Sequence, residues 1–194
     1  MAQRCLFFNQ LQRFRKIIYF NFLTHLRYLW VFIYLRMNFI VRIALKKDMV
    51  FVHQLITELA IFEKEPLAVE ITVEDLEKDG FSAEPKFKIF IAEENGIIIG
   101  MALFYERYST WKGKIIHLED LIVTKSKRNL GVGKALYRTL MQYAYDNNFK
   151  RVAWEVLDWN INAIDFYQNT GANILKEWRV VHMNEQNLEK FIKN

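Results

Sequence analysis

The stretch 117–135, HLEDLIVTKSKRNLGVGKA, constrains this chain more than any other. It begins as an apolar strand, passes through a basic turn, and enters a helix through Arg128-Asn129-Leu130-Gly131-Val132-Gly133-Lys134. Two glycines one residue apart let the backbone turn tightly and leave N–H groups uncovered. Those groups sit where a helix starts, so its orphan donors and the positive end of its dipole point outward together. Such a place binds anions, and a pyrophosphate suits it. Lys125, Lys127, Arg128 and Lys134 add positive charge. A bare G-x-G is equally the mark of a plain strand-to-helix turn. The rest of the chain has to decide between the two.

Residues 38–45, NFIVRIAL, are rich in β-branched and apolar types and predict a strand. Asp48 is placed to cap the helix that follows, in which Met49, Val52, Leu55, Ile56 and Leu59 recur at helical spacing. Thr72 with Asp75 predicts a capping box, and Gly80 a stop. Strands 87–94 and 97–108 flank Asn95-Gly96, the strongest short hairpin signal. Residues 115–123 are apolar on both faces and predict a central strand. Simple alternation puts Glu119 on one face with His117, Leu121 and Val123, and Asp120 on the other with Leu118 and Ile122. Helix 131–147, strand 151–157, helix 161–170 and strands 173–175 and 177–183 follow, then a helical tail over 184–193. Pairing the strands on either side of the Gly131 helix as a parallel unit follows from the crossover rule. The predicted fold is α/β: a mixed, mostly antiparallel central sheet with helices on both faces and a parallel β-α-β unit.

The chain divides in composition at residue 37. Residues 1–36 hold six Lys and Arg, ten aromatics and no acid, whereas 37–194 carry 21 basic and 22 acidic residues, a net charge of −1. The overall charge of +5 therefore belongs to the leader, and no nucleic-acid partner is implied. Asn21, Thr24, His25 and Arg27 interrupt the run 17–35, which argues against a spanning helix. Three readings of the leader stand open: a non-native extension ahead of Met37, a membrane-surface segment, or a packing helix. Cys5 is the only cysteine, which excludes an internal disulfide and suits a reducing, cytoplasmic setting.

Arg128-x-x-Gly131-x-Gly133, after a central strand and opening a helix, resembles the coenzyme A motif of the GCN5-related N-acetyltransferases. His117-Leu118-Glu119-Asp120, Ser109-Thr110-Trp111, Val156-Leu157-Asp158-Trp159-Asn160 and Asp165-Phe166-Tyr167 are similar to the diamine (spermidine/spermine) and thialysine branch. That family usually has Gly where this chain has Asn129, and a polar residue at Leu130. Its polyamine enzymes commonly have Asp before the Pro-Trp of the substrate loop, and the Ser109-Thr110 form resembles the thialysine type more.

The resemblance implies direct acetyl transfer from acetyl-CoA to a primary amine of a small molecule, without a metal. Other readings are acetylation of a protein or peptide amine, and a non-catalytic acyl-CoA-binding or membrane-associated module. A lysine-like amine is neutral in only about one molecule in a thousand near pH 7, so a base is needed. Glu119 matches the family's base or orienter, and Tyr167 its proton donor to the leaving thiolate. Leu130, Gly131, Val132, Gly133 and Lys134, with Arg128 and Asn129, match the pyrophosphate site. Leu121, Ile122 and Val123 match the strand that offers its backbone to pantetheine, and Asn160 a pantetheine contact that can also be a helix N-cap. Phe62, Glu63, Trp111 and Glu119 match the amine pocket. Relatives of this kind are homodimers. His53, His117 and His182 have no metal-ligand spacing and are expected to be structural.

Overall fold

The structure is a computed structural model that describes residues 38–193; the expectations for residues 1–36 lie outside that span. The chain divides into two compact units after Trp154.

The first unit is a five-stranded sheet in the order β1-β2-β3-β4-β5. Its strands are β1 (Ile40–Ile43), β2 (Lys88–Glu94), β3 (Ile97–Ser109), β4 (Gly113–Val123) and β5 (Val152–Ala153). Neighbours run antiparallel except β4 and β5, which are parallel and joined through a helix, as the crossover rule predicts. Helices α1 (Met49–Phe62) and α2 (Val73–Gly80) precede β2, and α3 (Val132–Asp146) links β4 to β5. The two faces are packed separately. Met49, Val52 and Leu55 of α1 and Leu76 of α2 meet Ile89, Ile91, Met101 and Ile122. On the other face Val132, Leu136, Leu140 and Ala144 of α3 meet Ala102, Phe104, Ile116 and Leu118. The sheet therefore has helices on both faces, as expected.

Local chemistry explains the joints. Asn95 and Gly96 both adopt positive φ, 52° and 81°, which is what a two-residue hairpin between twisted strands requires. Thr72 and Asp75 form the expected capping box, with each side chain bonded to the other's backbone N–H. Asp48 does not cap α1 with its side chain. Its carboxylate turns back to accept from Leu45 N (2.7 Å) and from both terminal nitrogens of Arg42. Arg42 also pairs with Glu93 of β2. A buried carboxylate needs a cation and N–H donors, and the guanidinium fork meets that need better than free helix amides do.

Strand β5 is shorter than the expected 151–157. Its pairing with β4 ends at His117↔Ala153, just before an irregularity in β4 that bends the strand.

The second unit holds α4 (Ile161–Asn169) and α5 (Glu185–Lys193). Asn160 caps α4, its side chain accepting from Ala163 N, and Gly171 closes the helix at φ 89°. Residues 173–175 and 177–183 are not strands, contrary to expectation. Val180 and Val181 are exposed there. β-branched residues favour strands because they pack on a sheet surface, and these lie on none in their unit.

Candidate functional site

The irregularity in β4 organises the site. Leu103 of β3 pairs with Asp120, and the next residue, Phe104, pairs with Leu118. One step on β3 matches two on β4, so Glu119 is the extra residue of a β-bulge. The apolar residues on either side show what this does. Ile116 and Leu118 face the α3 cluster before the bulge, and Leu121 and Val123 face it afterwards. Ile122 faces the α1 cluster. The alternation has slipped by one residue. Glu119 and Asp120 thus fall together on the α1 face, whereas unbroken alternation had predicted opposite faces.

That face also carries Glu63, the residue after α1. Burial pushes the Asp120 carboxyl up to about 7, and the charges of Glu119 and Glu63 push in the same direction. Burial also raises Glu63. Asp120 thus lies within electrostatic reach of two other acids and holds its proton up to near neutral pH. Such a cluster favours a cationic guest, and a carboxyl poised near the working pH can take up its proton. Strict alternation had set Asp120 apart from Glu119, and the bulge brings it to the same face.

His117 is buried beside Glu119, with Nε2 3.5 Å from Oε2 of that residue. Arg107 reaches Nδ1, also at 3.5 Å. The ring thus lies between Arg107 and the Glu119 carboxylate and restricts where that carboxylate can turn. Among the described residues no three His, Cys, Asp or Glu side chains are placed so that they could hold a metal ion.

The glycine turn begins at Asn129, six residues after β4 ends at Val123. Asn129 adopts φ 63° and Gly131 φ 83°, so asparagine serves where a glycine was expected by resemblance. Helix α3 starts at Val132, and its first bond in this turn is Ala135 N to Gly131 O. The amides of Leu130, Gly131, Val132, Gly133 and Lys134 have no acceptor among the described residues. A Cβ added at Gly131 would meet no atom within 4 Å, so the space in front of it is open. Five orphan donors at a helix start, with exposed Lys134 beside them, fit a diphosphate. Gly100 lets the chain come close from the other side: a Cβ there would lie 2.8 Å from Ile122 O and 3.3 Å from Leu136 Cδ1.

Arg128 does not extend freely toward solvent. Its Nε donates to Val123 O (2.9 Å) and its guanidinium lies 5.0 Å from the centre of the Phe62 ring. Phe62 thus packs against the arginine of the turn, and the next residue along the chain is Glu63. Trp111 lies toward the other end of β4 from Glu119 and Asp120. It is exposed at the β3–β4 hairpin, and Gly113 to Glu119 alone spans about 20 Å at 3.3 Å per residue. Asn160 and Tyr167 belong to the second unit, where Tyr167 is buried and its ring centre lies 5.4 Å from that of Phe166.

Residues 51–172 match the family described as Acetyltransferase (GNAT) family. A thialysine N-epsilon-acetyltransferase of Caenorhabditis elegans is 40% identical over 141 residues, covering 71% of this chain and 86% of that protein. A human spermidine/spermine N(1)-acetyltransferase-like protein 1 is 34% identical over 145 residues, 70% of this chain and 21% of its own length. Among solved structures, an integron cassette protein from V. cholerae shares the fold with a TM-score of 0.68, at 23% identity over 81% of this chain and 99% of its own.

The raised carboxyl of Asp120 has a consequence for stability. Unfolding returns it to an ordinary value of about 4, so its charge opposes folding progressively as pH rises from about 4 to about 7. Asp120→Asn therefore raises the melting temperature near pH 8 and leaves it almost unchanged near pH 4, as read by calorimetry at both values. A variant less stable than the parent near pH 8 would show that the carboxylate is welcome where it lies.

Proposed function

We propose that this chain, which belongs to the acetyltransferase (GNAT) family, acetylates a primary amine of a small molecule, either a thialysine- or lysine-like amine or a di- or polyamine. The observation that carries this reading is the meeting of Glu63, Glu119 and Asp120 on one face, a short way along the chain from an amide-lined turn. The names of the relatives point to the same substrate class. A protein or peptide amine is the second reading.

Acetyl-CoA supplies the acetyl group as a thioester. The amides of Leu130 to Lys134 receive its diphosphate, and Leu121, Ile122 and Val123 lie on the strand that leads to them. Arg128 and Asn129 shape the turn. At the amine, the charges of Glu63 and Glu119 attract the ammonium form, and Glu119, beside His117, takes its proton directly or through water. The nitrogen then bonds to the acetyl carbon as the carbon–sulfur bond breaks. Tyr167 gives its phenolic proton to the sulfur, and Asn160 contacts the pantetheine arm; both roles rest on the resemblance.

The reading includes a homodimer, because Trp111 is too far along β4 to reach the acids of its own copy and a second copy could bring it to an amine pocket. It also includes a reducing, cytoplasmic setting, supported by the single cysteine. Among the described residues no helix is long and apolar enough to cross a membrane.

The direct test is thiol release from acetyl-CoA with thialysine, lysine, putrescine, spermidine and a peptide panel. Thialysine or lysine should lead, and Tyr167→Phe should lower kcat about a hundredfold while CoA binding holds. CoA binding without turnover on any amine would favour the non-catalytic module. Light scattering should give twice the mass of one chain; a monomer that turns over normally would leave Trp111 outside the pocket.

A further inference from the structure

Glu58 lies on α1, one turn before Phe62. A carboxylate close to a site built for an anion is electrostatically unfavourable, so its geometry calls for an explanation. Glu58 Oε2 accepts from the Thr124 hydroxyl at 2.7 Å, and Oε1 accepts from the backbone N–H of Lys125 at 2.7 Å. Arg128 NH2 stands 3.8 Å from the same Oε1. These partners begin and end the short segment that leads into the glycine turn. Thr124 N donates to Ile99 O, Lys127 N to Thr124 O, and Arg128 Nε to Val123 O.

We infer that Glu58 is a positioning residue for the diphosphate site: it pins residues 124–128 to α1 so that the amides of Leu130 to Lys134 stand ready for the anion. The argument rests on the proposed cofactor reading and deepens it. Two short, charge-assisted hydrogen bonds from one carboxylate hold both a side chain and a backbone amide of the segment. The carboxylate is spent on those donors and on Arg128, which reduces the field it projects toward the turn. Arg128, drawn back onto Phe62, is thereby kept out of the space in front of Gly131. Without Glu58 the turn must order itself when the cofactor binds, and affinity falls by that cost. The effect is confined to ligands that carry the diphosphate.

The test compares two acetyl donors. S-acetyl-pantetheine has the thioester and the amides of the cofactor but no diphosphate. In Glu58→Ala, calorimetric titration with CoA should show affinity weakened roughly tenfold, as two charge-assisted bonds to the turn are lost. The kcat/KM for S-acetyl-pantetheine and the KM for the amine should stay near the parent values. Glu58→Gln keeps one acceptor oxygen and should recover part of the loss. If Glu58→Ala does not fold, Thr124→Val removes one of the two bonds and should show a smaller loss, again confined to CoA. Unchanged CoA affinity in a folded variant, or an equal loss with both donors, would overturn the role of Glu58. A parent protein that prefers CoA no more than S-acetyl-pantetheine would instead overturn the diphosphate site itself.

Discussion

One residue too many in β4 sets the character of this molecule. A strand with strict alternation would send Glu119 into one face and Asp120 into the other, each among aliphatic side chains. The bulge at Glu119 places both on the α1 face while Leu118 and Leu121 keep their places against α3. The packing on the α3 side is continuous, so the slip costs that core little. The α1 side bears the cost, with two acids on one face and Glu63 nearby. That is an unfavourable arrangement for folding and a useful one for holding a cation. The same bend ends the pairing of β4 with β5 after His117, so the strand leaves its parallel neighbour where the acids begin.

The anion site is made by different means. Its donors are backbone amides that a helix cannot satisfy, and their supply needs only a helix start and a left-handed Gly131. What has to be added is order. Glu58 and Phe62 provide it from α1 by holding Thr124, Lys125 and Arg128, so one helix borders the glycine turn and ends beside Glu63 of the acid cluster. Attraction for an anion and attraction for a cation thus lie at opposite ends of the short segment from Glu119 to Lys134.

Much of this was legible in the sequence, for reasons that are local. Asn95-Gly96, the Thr72–Asp75 box and the glycine turn depend on a few neighbouring residues, and each formed as expected. The family itself could be read from several motifs at fixed order, and residues 51–172 bear it out. What escaped depends on contacts distant in sequence. The bulge leaves no mark in β4, because only the register of β3 shows the extra residue. Asp48 looked like a helix cap, yet Arg42 and Leu45 claim its carboxylate. The run 177–183 has strand propensity without a sheet to join.

The central claim is that the bulge makes a paired-carboxylate site for an ammonium group beside a separate amide site for a diphosphate. The most direct measurement is a crystal structure of the dead-end complex with CoA and an amine substrate. The account predicts the diphosphate on the amides of Leu130 to Lys134, and the amine nitrogen within hydrogen-bond reach of Glu119 or Asp120, directly or through one water. An amine seated away from both carboxylates, with the diphosphate in place, would contradict it.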